Sequence, residues 1–180
     1  MSEKKLILFL DSGDTIIDES TEVRDESGIV IRANVIPGAD QMLKSLYESG
    51  YTLVLVADGE AQSFKNMFIQ LGIYDYFTAM IYSENIKALK PSARMFKAAA
   101  GAIELPEAEF GRVAMVGNNL SRDVKGANAL GMTSVFLSWT PRYPHDPADE
   151  SERPDYTIAE PLALLELAER LNEELVNQPQ

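Results

Sequence analysis

The stretch Asp11-Ser12-Gly13-Asp14-Thr15 follows a short apolar run, Leu6 to Leu10. That places a carboxylate at the carboxyl end of a buried strand, where open α/β sheets bind their ligands. A turn or helix cap is the bland alternative, since Asp, Ser, Gly and Thr all favour turns, and for this segment alone it is the stronger reading. Three further segments change the balance. Ala57-Asp58-Gly59 closes a second apolar run on a polar residue. Lys90-Pro91 precedes a helical segment, where proline suits the first turn and the ammonium falls near the sheet edge. Gly117-Asn118-Asn119-Leu120-Ser121-Arg122-Asp123 follows another apolar run and supplies an amide and a carboxylate five residues apart. Each has an ordinary role as well: Asp58 as a turn residue, Lys90 as a solvated lysine, Asp123 as a charge in a helix's first turn. Chance is a poor account of the four occurring together in this order.

The elements that must hold these residues are legible from periodicity. Leu6–Asp11, Thr52–Ala57, Ala79–Tyr82, Val113–Gly117 and Thr133–Leu137 are nearly continuous in apolar residues, as strands covered on both faces are. Between them lie segments of helical spacing: Ala39–Ser49 ending at Gly50, Phe64, Met67, Phe68 and Leu71 ending at Gly72, and Val124–Leu130 ending at Gly131. This alternation predicts an α/β fold of three layers, a five-stranded parallel sheet between helices. Tyr156–Ile158 reads as a short edge strand, and Pro161 to Val176 as a last helix with Leu164, Leu167, Leu171 and Leu175 on one stripe. One piece breaks the pattern: Thr21–Asp25 and Ile29–Ala33 flank Glu26-Ser27-Gly28, which predicts a β-hairpin over about residues 21–33.

The bulk composition narrows the function. At 180 residues the chain fits one domain, 1–180, with no repeat and no long linker. A net charge of -12 argues against a nucleic-acid partner, which needs a basic face, but leaves room for a local pocket for a small anion. With no cysteine there is neither a disulfide nor a thiolate metal site, which is compatible with a cytoplasmic location. The run Leu6 to Leu10 is too short for a membrane span or signal core, so no membrane partner is expected.

Four segments together resemble the haloacid dehalogenase superfamily: FLDSGDTI, VLVADG, LKP and MVGNNLSRDVKGANALGM, in family order and over nearly the whole chain. The resemblance implies a Rossmann-like sheet with the first and fourth motifs on adjacent strands at the switch point. It implies that Asp11 attacks phosphorus and forms an aspartyl phosphate. Asp58 and Lys90 would then hold the phosphoryl oxygens, with Ser12 and Gly59 also at the substrate. Asp11, the Gly13 backbone carbonyl, Asn118 and Asp123 would hold Mg²⁺. The chemistry is coherent, because a carboxylate attacking an anionic phosphate needs a hard cation and a lysine to neutralise charge.

The sequence also departs from the family pattern. Phosphatases of this kind carry a second Asp two residues after the nucleophile as general acid; here that place is Gly13, and the acid comes one step later at Asp14. A positioned acid contributes about 10²–10⁴-fold; Asp14 either takes over that role or is re-aimed by the one-residue shift on a tight turn. The usual hydroxyl residue of motif two is Ala57, and the first acid of motif four is Asn118. These changes favour good leaving groups, such as acyl or aryl phosphates, and a long-lived phosphoenzyme.

Only about twenty residues separate Thr15 from Pro37, and the span from Gly59 to Lys90 holds one helix and one strand. No large cap is expected, so the hairpin is a flap over an open site. Such a site admits a small-molecule or macromolecular phosphate, or takes a neighbouring subunit as a lid. The leading reading is a Mg²⁺-dependent phosphohydrolase or phosphotransferase. The alternative is a catalytically weak member with a binding or regulatory role. A carbon–halogen hydrolase comes third, because family dehalogenases carry a helical cap. Trp139, Arg142 and Tyr143 either rim the site or anchor a loop, Arg122 either meets an anion or lies at the surface, and His145 reads as a solvated residue.

Overall fold

The computed structural model describes residues 4–178. In chain order the regular elements are β1 (Ile7–Leu10), β2 (Ile17–Arg24), β3 (Val30–Val35), α1 (Ala39–Glu48), β4 (Thr52–Ala57), α2 (Ala61–Gln70), β5 (Ala79–Tyr82), α3 (Ser83–Ile86) and α4 (Ala93–Ala102). They continue with β6 (Val113–Gly117), α5 (Lys125–Ala129), β7 (Thr133–Leu137), β8 (Tyr156–Ile158) and α6 (Ala163–Asn177). The main sheet has six strands, not five, in the order β5-β4-β1-β6-β7-β8, all parallel. The sixth is the short edge strand Tyr156–Ile158, paired with β7 from Val135↔Tyr156 to Leu137↔Ile158.

The chain leaves β1 toward β4 and β5, then returns to the other side of β1 for β6, β7 and β8. The switch point therefore falls between β1 and β6, and the carboxyl ends of those strands border a crevice.

Strand side chains alternate between two cores. Leu8, Leu10, Leu53, Leu55 and Val116 pack toward Leu43, Phe68 and Leu167 on one face. Ile7, Phe9, Val54, Val56 and Met115 pack toward Met95, Phe96 and Ala127 on the other. The apolar runs are continuous because both faces are covered. α6 is fastened to the start of β1 by a group the leucine stripe did not reveal. The buried Asn172 Oδ1 accepts from the backbone N–H of Lys5 (2.8 Å) and Leu6 (3.1 Å). Asn172→Ala strands these donors and should cost about 1–3 kcal/mol in urea unfolding; an unchanged midpoint and slope would show that water replaces the amide without loss.

The hairpin is longer than its composition suggests. β2 and β3 pair antiparallel from Ile17↔Val35 to Arg24↔Val30, with register shifts on either side of Val23. Gly28 takes a φ of 89° in the connecting turn, a conformation favouring glycine. β3 is tied to α2: the Val30 N–H donates to Ser63 Oγ (3.0 Å), Asn66 Nδ2 donates to the Val30 carbonyl (3.0 Å), and the Ala33 N–H donates to Gln70 Oε1 (3.2 Å). Two helix starts also differ from expectation. Ser92 caps α4, so Pro91 lies outside the first turn rather than in it. A π-helical turn over Leu120–Val124 precedes α5. No helix among the described residues is long and apolar enough to cross a membrane.

Candidate active site

β1 delivers Asp11 at its carboxyl end, where the Asp11 N–H donates to the Val116 carbonyl of β6 (3.0 Å) and extends the strand pairing by one residue. The chain then turns sharply, with the Ser12 carbonyl accepting from the N–H groups of Thr15, Ile16 and Ile17. β4 delivers Asp58 and Gly59, the segment before α4 delivers Lys90, and the end of β6 with its π turn delivers Asn118 and Asp123. Asp11, Ser12, Gly13, Asp58, Gly59, Lys90, Asn118 and Asp123 all line one cavity of about 340 Å³. Residues from four separate stretches of sequence thus meet at the switch point.

Lys90 is the hub. Its side chain is 2% exposed, and its Nζ donates to Asp11 Oδ1 (2.8 Å) and the Val56 carbonyl (2.8 Å) while lying 2.7 Å from Asp123 Oδ1. Burial alone would lower the ammonium's pKa, but the charges of Asp11, Asp123 and Asp58 more than reverse this, so it is held above its ordinary value. Asp123, equally buried, is pushed up by desolvation first and by Asp11 second, against the pull of Lys90. Its Oδ2 accepts from the Asn119 N–H (3.1 Å), and its carboxylate packs on Gly117, where a Cβ would lie 2.1 Å from Oδ2. Asp58 Oδ1 accepts from the Lys90 N–H (3.0 Å); burial raises its carboxyl, and the Lys90 charge opposes the rise. Asp58 Oδ2 has no hydrogen-bond partner but stands 3.6 Å from an Arg122 guanidinium nitrogen, so Arg122 reaches the site.

On the other side of Asp11 the oxygens crowd together. The Asn118 amide stands 3.1 Å from Asp11 Oδ2 and 3.3 Å from the Gly13 carbonyl. If its oxygen faces them, three acceptors converge on one point; if it is turned over, its nitrogen donates to both. A hard cation satisfies the first arrangement, so the donor set suits Mg²⁺ with oxygen ligands. Asp11 is the one carboxylate in this converging set, and no group of three His, Cys, Asp or Glu that would hold a metal occurs among the described residues. Ser12 Oγ is also buried without a partner beside the cavity.

The residues around Gly13 differ most from expectation. Asp14 has a φ of 49° and is fully buried, and it does not line the cavity. Its carboxylate accepts from the Glu19 N–H (3.1 Å) and pairs with Arg142. The space beside Gly13 is instead filled from β2: a Cβ built on Gly13 would lie 1.8 Å from Glu19 Oε1. Glu19 lines the cavity, and its carboxyl is raised by burial first and by Asp14 second, with Arg142 opposing. Sequence reasoning missed Glu19 because the register shifts of β2 hide which strand residues face inward. Tyr143 does reach the cavity, whereas Trp139 packs against the core and Arg142 anchors its loop. His145 is exposed but not free, with Nε2 2.8 Å from the Thr140 carbonyl.

Comparison with known proteins follows the same lines. The profile of the haloacid dehalogenase-like hydrolases matches residues 15–137. The chain belongs to this family. The match begins just beyond Asp11, so the position of Asp11 rests on the geometry above. The chain is 30% identical over 75% of its length to the glyceraldehyde 3-phosphate phosphatase of Methanopyrus kandleri, covering 57% of that protein. It is 31% identical over 71% of its length to the phosphoglycolate phosphatase of Nitrosococcus oceani, covering 54% of it. A HAD phosphatase from Thermococcus onnurineus superposes with a TM-score of 0.64 at 27% identity, over 75% of this chain and 58% of that one. The chain thus spans little more than half the length of these relatives.

Proposed function

We propose that this chain is a Mg²⁺-dependent phosphohydrolase or phosphotransferase that acts through an aspartyl phosphate on Asp11. The observation that carries the reading is the buried Lys90 ammonium held between Asp11 and Asp123 at the switch point. An ammonium there, hydrogen-bonded to Asp11 Oδ1, neutralises the phosphoryl oxygens as Asp11 attacks. Asp58, fixed through the Lys90 N–H, and Arg122 beside it are placed to orient the phosphoryl group. Asp11, Asp123, the Gly13 carbonyl and Asn118 would hold Mg²⁺, which supplies further charge neutralisation when bound.

The relatives named as phosphatases act on small organic phosphates, which supports a phosphorylated small molecule as substrate. We read the chain as a single cytoplasmic domain whose hairpin serves as a flap, without a large cap. Its open side leaves room for a larger phosphate or for a second subunit. A binding or regulatory role is the second reading, favoured by Ala57, which offers no hydroxyl, and by a cation set with only two carboxylates.

Acetyl phosphate and p-nitrophenyl phosphate are the first probes, because good leaving groups need least help. Phosphate release should require Mg²⁺ and stop on chelation. Mg²⁺ at a hundredfold its dissociation constant adds about 2.7 kcal/mol, which raises the midpoint of a chain this size by roughly 5–11 °C. A midpoint that ignores Mg²⁺, with no release from either probe, would transfer the case to the regulatory reading.

A further inference from the structure

The place where the sequence lacks its general acid is not vacant. A Cβ on Gly13 would lie 1.8 Å from Glu19 Oε1, 2.7 Å from Cδ and 3.0 Å from Cγ, so the end of the Glu19 side chain occupies the volume that a longer side chain at 13 would enter. Nothing in the backbone demands glycine here, since Gly13 is not among the residues of positive φ. Asp14, the nearest acid in sequence, is committed to Arg142 and to the Glu19 N–H and does not line the cavity. Those same bonds fix Glu19: Asp14 holds its backbone, and Arg142 Nε lies 3.5 Å from its Oε2. Its Oε1 is thereby left toward Gly13 and the cavity that Asp11 lines.

We propose that Glu19, brought in from the hairpin, is the general acid and base of this site in place of the residue missing at 13. The inference rests on the phosphohydrolase reading above. In the first half-reaction an Asp11 oxygen bonds to phosphorus as the P–O bond to the leaving group breaks. The proton of the Glu19 carboxyl passes to the departing oxygen, giving the free alcohol and a Glu19 carboxylate. In the second, that carboxylate takes a proton from water as the water oxygen bonds to phosphorus. The acyl–phosphate P–O bond then breaks, releasing inorganic phosphate and restoring the Asp11 carboxylate and the Glu19 acid. Alkyl phosphates, which cannot leave unprotonated, thereby become substrates, against the expectation from Gly13 alone.

The test compares an alkyl ester, glycerol 2-phosphate, with p-nitrophenyl phosphate for the native chain, Glu19→Gln, Glu19→Ala, and Glu19→Ala carrying Gly13→Asp, since only the shortened side chain frees the volume beside Gly13. In Glu19→Gln, alkyl turnover should fall about 10²–10⁴-fold, while the first turnover of the aryl ester falls far less. The aryl time course should become a burst of about one equivalent followed by a slow phase, because water's attack has lost its base. Gly13→Asp should recover alkyl turnover by at least about tenfold. Equal losses on the two esters without a burst would mark Glu19 as structural and overturn the proposal, as would no loss on either. If the native chain turns over neither ester, the phosphohydrolase reading fails and the proposal falls with it. Native turnover of the aryl ester with none of the alkyl ester overturns the proposal and leaves the phosphohydrolase reading standing.

Discussion

Asp11→Asn is expected to reduce phosphate release by about 10⁴-fold or more, because a group that forms the covalent bond cannot be bypassed by the rest of the site. An amide has nearly the same shape as a carboxylate, and Asp11 is a small part of the core, so the fold should persist. Asp123 still pairs with the Lys90 ammonium in the variant. Acid quenching of the native chain with acetyl phosphate should add the mass of one phosphoryl group, lost on mild alkaline treatment as an acyl phosphate is, and Asp11→Asn should add none. Residual release in the variant at the native rate would mean that water is activated directly, and the covalent route would have to be abandoned.

Lys90→Met should have the largest effect on stability. Methionine keeps the length of the side chain but removes the charge that lies between two carboxylates, one of them 1% exposed. Breaking a buried pair from one side costs about 3–5 kcal/mol, since the partner charge remains buried and uncompensated. The deficit carries a pH signature. Asp123 is already raised by burial and by Asp11, with Lys90 opposing, and removing Lys90 raises it further. An acid with a folded pKa above its unfolded value binds its proton more tightly when folded. Stability is therefore greatest below the unfolded value, about 3.9, and falls as pH rises through the folded value. Urea unfolding at about pH 5 and about pH 8 should show the larger deficit at the higher pH. A deficit independent of pH would trace to lost packing.

The parts of the fold with continuous apolar runs were readable, and β4, β6 and β7 keep the bounds their composition implies. Burial on both faces leaves such strands no other composition. The cavity-lining residues at strand ends were readable for a related reason: Asp11, Asp58 and Asn118 interrupt apolar runs where the sheet stops. The resemblance placed the first and fourth motifs side by side, and β1 does pair with β6. The hairpin resisted, since its bulged register breaks the alternation that would have shown Ile17 to Thr21 as strand and Glu19 as inward-facing. Asn172 looked like one polar residue among leucines, because its partners lie on β1's approach, 166 and 167 residues away. Contacts of that kind have no local signature. The re-aiming of Asp14 was foreseeable from its one-residue offset, but its attachment to Arg142 was not.

The three hydrogen bonds between β3 and α2 also bear on how a substrate is chosen. A hairpin hinged only at its ends would swing, and recognition would depend on how well a ligand paid for closure. Here the hairpin is stapled to the helix that follows Asp58-Gly59, so both sides of the entrance belong to one rigid frame. On the phosphohydrolase reading, selection would then be a matter of gauge, set by the gap between hairpin and sheet edge. On that reading the discrimination of an induced fit would give way to constant readiness, and specificity would be altered by reshaping a wall rather than by tuning a motion.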